Sequence, residues 1–178
     1  MMNLLNIFVL SIPLIVGGVI HMLFVKLDIL PALKKPIDEK LFGKNKTWRG
    51  FVVMPMATWP GVVLAQGLDK LFNNEPLLAN QSSLLLALIL GFAYCLSELP
   101  NSWMKRRLGI KEGQTSDEWK WLFVVIDQAD SAIGCLLGYM LVVNISWDIF
   151  WATIFFGTGL HLILNMLLYQ IGVRKNPY

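Results

Sequence analysis

Apolar positions in this chain fall in long blocks, not in the short alternating runs of a soluble domain. Blocks at about 4–25, 51–72, 83–103, 121–143 and 148–171 approach or exceed the roughly 18–20 residues that span a bilayer as a helix. Polar positions collect between them. The pattern predicts an all-α, polytopic membrane protein with five transmembrane helices, forming one domain over residues 1–178. The second block carries Pro55 and Pro60, where a helix is expected to kink or break. The first has no basic leader and no small-x-small cleavage site, so it reads as a span rather than a signal peptide.

Composition agrees. The chain is 56% hydrophobic and 15% charged, against about 25% charge in a soluble domain. The net charge of +3 says less than its placement. The first connection holds Lys26, Lys34, Lys35, Lys40, Lys44, Lys46 and Arg49. The third holds Lys105, Arg106, Arg107, Lys111 and Lys120, and the tail Arg174 and Lys175. With five spans these segments share one side, and the other side has only Lys70, next to Asp69. The positive-inside rule then sets the N-terminus outside the cell membrane, with both basic connections and the C-terminus in the cytoplasm. Trp48, Trp103, Trp119 and Trp121 fall where an interfacial aromatic belt would lie on that side. The stretch NNEPLLANQSS reads as an ordinary polar loop on the outer side. Cys95 and Cys135 sit inside apolar blocks without metal or disulfide spacing. Nothing in this pattern points to a nucleic-acid partner.

The fourth block, WLFVVIDQADSAIGCLLGYML, contains Asp127 and Asp130, spaced i, i+3 and so on one helix face. Gly134 and Gly138 continue that face as a small, polar stripe suited to helix–helix contact. Asp127 lies six residues past Trp121, roughly 9 Å along the helix, which places the pair in the cytoplasmic half. An ionised Asp at the centre of a span costs ~2.5–3.5 kcal/mol on insertion scales, and two like charges on one face cost more. Either one acid is protonated, or both pair with basic loop residues, or a hard cation such as Mg2+ lies between them. The third block adds a second stripe, Gly91, Cys95, Glu98, Ser102 and Lys105, that runs from small to acidic to basic. Pro100 is expected to let this helix bend or unwind after Glu98. In the first connection LFGKNKTWRGF gathers Lys44, Lys46 and Arg49 with Gly43, Thr47 and Gly50, a set able to cradle phosphate or simply to anchor the span. It lacks the P-loop order. Gly157, His161 and Asn165 share one face of the fifth block, and His21 follows Gly17 in the first; interhelical hydrogen bonding is the expected role of both histidines. Acids, bases and a lipid phase at one surface describe a place for phosphate chemistry on a lipid.

KNKTWRG, then SELPNSWMKRRLGIK, then DQAD, in this order, resembles the CDP-archaeol synthase family, within the broader membrane phosphatidate cytidylyltransferases. The resemblance covers about 43–138 and matches the five-span layout. It implies that CTP and a lipid phosphate from the inner leaflet give a CDP-lipid and pyrophosphate with Mg2+. It implies Asp127, Asp130 and Glu98 as metal-binding and catalytic acids, with Lys105 beside them. It further implies that Asn45, Lys46, Thr47, Arg49, Ser102, Arg106, Arg107 and Gln128 bind or orient the substrates. Glu98 stands where the family has Asp, Ser97 where it has Gly and Ser131 where it has Phe, and Asp117 and Glu118 fall in a longer segment before the DQAD motif. A lipid phosphate is already largely anionic near pH 7, since its second pKa is about 6, so no Ser-His-Asp set is needed. Two other readings remain at this point. One is a non-enzymatic lipid-binding or assembly protein. The other is an ion or proton transporter, for which Thr58 and Gln66 offer little polar path through the outer half. A homo-oligomer is compatible with the glycine stripes, which serve contacts within or between chains equally.

Overall fold

The computed structural model describes residues 4–112, 114 and 119–173. Arg174, Lys175, Asp117 and Glu118 lie outside the described residues. Five helices are long and apolar enough to cross a membrane: α1 (Leu4–Lys26), α3 (Trp48–Phe72), α4 (Ser83–Arg107), α5 (Lys120–Met140) and α6 (Trp147–Gln170). The all-α, multi-pass reading holds. A 3-10 turn (Pro31–Leu33) and the short helix α2 (Glu39–Phe42) lie in the first connection. The long helices pack mainly as α1 on α3, α3 on α4 and α4 on α5, and α6 closes the bundle against α5 and α1.

Helix α3 shows how sequence sets the packing. Arg49, Val53, Ala57, Gly61, Ala65 and Asp69 recur at four-residue steps, and all are buried. Trp48, Val52, Met56, Trp59 and Val63 stand on the opposite side and are exposed, as residues facing lipid would be. Small residues at the seam let backbones approach closely, which gains dispersion where apolar burial against lipid gains little. A Cβ on Gly61 would come within 2.7 Å of Pro13 Cα in α1. A Cβ on Gly91 of α4 would collide with the backbone of Pro55 in α3. Gly134 sits likewise against Ser97, and Gly138 against Ala93, across the α4–α5 seam. The glycine stripes thus serve contacts inside this chain.

Of the expected outcomes at the prolines, a break and an unwinding do not occur. Helix α3 runs unbroken through Pro55 and Pro60, and α4 stays helical past Pro100 to Arg107. A proline removes one donor, but close neighbours hold the rest of the helix in place. For α4 the last turn also carries Lys105, Arg106 and Arg107, whose charges favour a helix C-terminus. The 73–83 segment is not an ordinary loop either. Leu78 is fully buried, its N–H donates to Asp69 Oδ2 at 2.6 Å, and Gln66 Nε2 donates to the carbonyls of Leu78 and Gln81.

The first connection folds back on itself. Asp28 and Leu30 adopt left-handed backbone, with φ of 48° and 57°. Asp38 caps α2 by accepting from Lys40 N and Leu41 N, both at 2.9 Å. Pro36 and Thr47 pair in an antiparallel bridge, with Ile37 N donating to Lys46 O and Trp48 N to Lys35 O. This strap fixes where Lys46 enters the bundle.

Candidate active site

The ends of α1, α4 and α6 and the starts of α3 and α5 surround a cavity of about 510 Å3, and the strap from the first connection completes its wall. The basic connections lie at this same end. Asn45, Lys46, Thr47 and Arg49 reach the cavity from the first connection and α3. Glu98, Ser102, Lys105 and Arg106 reach it from α4, and Asp127, Gln128 and Asp130 from α5. Arg107 is the exception. It points away from the cavity wall and stacks on Trp103, 5.4 Å from the ring centroid. Two side chains one position apart on a helix diverge by about 100°, so Arg106 and Arg107 cannot share a face.

The acids are held in different ways. Glu98 pairs with Lys46. Burial alone pushes the Lys46 ammonium towards losing its proton, yet the Glu98 charge and hydrogen bond outweigh this and hold its pKa above the ordinary lysine value. Lys105 Nζ sits 2.5 Å from both oxygens of Asp127, and its ammonium lies 5.5 Å from the Phe123 ring centroid. Asp130 has no basic partner within salt-bridge distance among the described residues. It accepts from Ser131 N at 2.6 Å and from Asn101 Nδ2 at 2.8 Å. The same Asn101 nitrogen donates to Asp127 Oδ1 at 2.7 Å. Direct pairing with basic residues thus accounts for Glu98 and Asp127, whereas Asp130 is met by neutral donors.

Arg49 is deeply buried and is committed to structure as well as to the cavity wall. It donates to Asp28 Oδ1 at 2.9 Å and to Ile29 O at 3.3 Å, and so staples the strap to α3. Hydrogen bonds from Lys34 and Arg49 hold the Asp28 carboxyl below the usual aspartate range. Gln128 accepts from Asn165 Nδ2 at 2.6 Å, which ties α5 to α6. Glu112 accepts from Lys44 N at 3.2 Å and lies 3.8 Å from Arg106 Nη1, so it links the two basic connections. Backbone donors, its own and that of Lys44, lower the Glu112 pKa. His21 and His161 also line the cavity.

Sequence reasoning passed over Asn101 and Glu112. Asn101 had a usable signal, since it stands three residues after Glu98 and four before Lys105 on the same face. Glu112 had none, because its partner Lys44 lies 68 residues away in the chain. Asn165 was legible as part of the Gly157–His161 face, but its partner Gln128, 37 residues away, was not.

The residues present fit a hard divalent cation. Asp127 and Asp130 share one amide donor, which holds the two carboxylates side by side at the cavity, and Mg2+ is commonly held by one or two carboxylates together with substrate phosphates. Asn101 Oδ1, on the same amide, is buried and without a hydrogen-bond partner. Among the described residues no group of three or more His, Cys, Asp or Glu side chains is arranged to hold a metal. Glu98 lines the same cavity as the aspartate pair and is engaged there by Lys46.

Fold and site define a helical, multi-pass membrane protein with a charged cavity at one end of its bundle. The CarS-like family profile, described as CDP-archaeol synthase, matches residues 33–178, and the chain belongs to that family. It is 26% identical over 168 residues to the CDP-archaeol synthase of Methanosarcina barkeri, covering 81% of this chain and 90% of the relative. It is 32% identical over 151 residues to that of Staphylothermus marinus, covering 80% and 74%. With the Methanococcoides burtonii protein of the same name it shares 29% over 167 residues, covering 81% and 90%. No solved structure matches the chain significantly.

Proposed function

We infer that this protein is a membrane cytidylyltransferase that uses CTP to activate a lipid phosphate, giving a CDP-lipid and pyrophosphate. One observation carries the reading: a lipid-level cavity that gathers the Asp127–Asp130 pair with Lys46, Lys105 and Arg106. The relatives named CDP-archaeol synthase support the product class. A phosphate oxygen of the lipid attacks the α-phosphorus of CTP. The bond from that phosphorus to the bridging oxygen breaks, and pyrophosphate leaves with the electron pair.

Mg2+ bound at Asp127 and Asp130 would neutralise phosphate charge and order the triphosphate. The remaining work falls to the chain. Arg106 faces Glu112 from Nη1 at 3.8 Å but hydrogen-bonds through neither Nε nor Nη1, both buried, so its guanidinium has donors to turn to phosphate oxygens. Lys105 can turn from Asp127 to a phosphate once that carboxylate is occupied, and Lys46 stands opposite on Glu98. Ile15, Val19 and Met22 of α1, with Leu164 and Leu168 of α6, give the cavity an apolar wall suited to a lipid tail. We place this end at the cytoplasmic face, where CTP is available and the lipid enters from the inner leaflet.

The test is pyrophosphate release from CTP by the purified protein with Mg2+, using phosphatidic acid and an ether-linked lipid phosphate in parallel. Turnover in the parent, absent in folded Asp127→Asn and Asp130→Asn, is expected. No turnover with either lipid and no CTP binding by calorimetry would overturn the reading.

A further inference from the structure

Asn101 is the residue on which the acid pair depends. Asp127 and Asp130 lie on adjacent turns of α5, and among the described residues only Asp127 has a cation within salt-bridge distance. The Asn101 amide supplies two N–H groups, and its nitrogen lies 2.7 Å from Asp127 Oδ1 and 2.8 Å from Asp130 Oδ2. Asn101 itself is buried, at 8% exposure. It comes from α4 and the acids from α5, so the bridge crosses a helix seam. That seam is closely packed: a Cβ on Gly134 or Gly138 would press on Ser97, Ala93 or Ile89 of α4. The amide oxygen is buried with no hydrogen-bond partner, an acceptor left over at the site.

We propose that Asn101 is a positioning residue that fixes the separation of the Asp127 and Asp130 carboxylates, so that the pair selects Mg2+ over the larger Ca2+. The inference rests on the aspartate pair being a metal site. Mg2+ demands near-ideal octahedral geometry with oxygens at about 2.0–2.1 Å, whereas Ca2+ tolerates irregular ligands at about 2.3–2.6 Å. A rigid, preset pair therefore favours Mg2+, and a loose pair loses that preference. Mg2+ also keeps several of its waters, and the spare Asn101 oxygen can accept a hydrogen bond from one of them.

The experiment is calorimetric titration of Mg2+ and, separately, Ca2+ into the full-length protein in detergent micelles. Parent, Asn101→Ala and Asn101→Ser are compared, with thermal unfolding as the check on folding. Asn101→Ala is expected to weaken Mg2+ binding about tenfold or more, as loss of such supporting contacts does elsewhere. Ca2+ binding should fall much less, so the Mg2+/Ca2+ ratio drops. Asn101→Ser keeps one donor and should fall between. A ratio unchanged in both variants overturns the role of Asn101 alone, as does an equal loss of both cations with a lowered melting temperature. A parent that binds neither cation removes the metal reading itself, and the proposal with it.

Discussion

At the end of α3 that faces the 73–83 segment, Asp69 is fully buried, and both its oxygens are taken up, by Asn73 Nδ2 at 3.0 Å and Leu78 N at 2.6 Å. At the opposite end of the bundle, Asp127 and Asp130 are part-buried and open onto a cavity lined with bases. Both ends place acid inside an apolar bundle. In one the carboxylate is spent on backbone and amide donors from the loop that follows α3. In the other Asp130 is likewise met by a backbone and an amide donor, but it and Asp127 face a cavity that Lys46, Lys105 and Arg106 also line. A buried acid enclosed by the fold is architecture. A buried acid that opens onto a basic cavity is available for a ligand. The surroundings tell the two apart, because the residue type is the same.

The contrast breaks most sharply under substitution. Asp127→Asn and Asp130→Asn should each cut turnover on the order of 100-fold or more, about 3 kcal/mol of barrier, with little change in melting temperature. A steady-state assay beside a thermal melt checks this. Asp69→Ala should do the reverse. It orphans two donors and should cost about 1–3 kcal/mol of stability, while activity per folded molecule is kept. If Asp69→Ala abolished turnover in a folded protein, the division into structural and functional acids would fail.

A comparable loss of stability is expected from Gly91→Leu. Its side chain would be driven into the Pro55 backbone, and overpacking of this kind costs about 1–3 kcal/mol. Denaturation in detergent measures it. A smaller difference separates adjacent arginines. Arg106→Ala should raise the KM for CTP several-fold, on the order of 1 kcal/mol for a charge-assisted phosphate contact, whereas Arg107→Ala, on the Trp103 side, should leave it within twofold. Equal effects would show that the cavity wall does not define the substrate site.

The smallest effect belongs to the strap. The Asp28 pKa is lower in the folded chain than its ordinary value of 3.8. The stability this contributes is present above pH 4 and is lost as pH falls through the lowered folded value. Proteolysis within 27–47 should therefore stay slow at neutral pH and speed up only below about pH 4. Asp28→Asn should remove that acid step. Because Asp28 is exposed, the gain in neutral stability from its ion pairs is small.

Much of this was legible along the chain. A block of some twenty apolar residues has few stable options besides a spanning helix, because hydrocarbon offers no partner for an unpaired amide. Spacing alone placed Asp127 and Asp130 on one face, and Glu98, Ser102 and Lys105 on another. Other features could not be read. The unbroken course of α3 through its prolines depends on how closely α1 and α4 hold it, and Gly91 reports that contact only in three dimensions. Along the chain Asp69 shows only its neighbour Lys70, and not the loop that folds onto it.

What the sequence determined by itself was therefore the number and kind of elements, the basic end of the bundle and the residue types gathered there. Each of these follows from local periodicity and from the cost of placing charge in lipid. Only tertiary structure decided which acids face the cavity and how each is held there: Lys46 on Glu98, Lys105 on Asp127, and Asn101 across both aspartates. Those pairings join residues 22 to 52 positions apart. They arise because small residues let the helices close, and no local rule along the chain sets that distance.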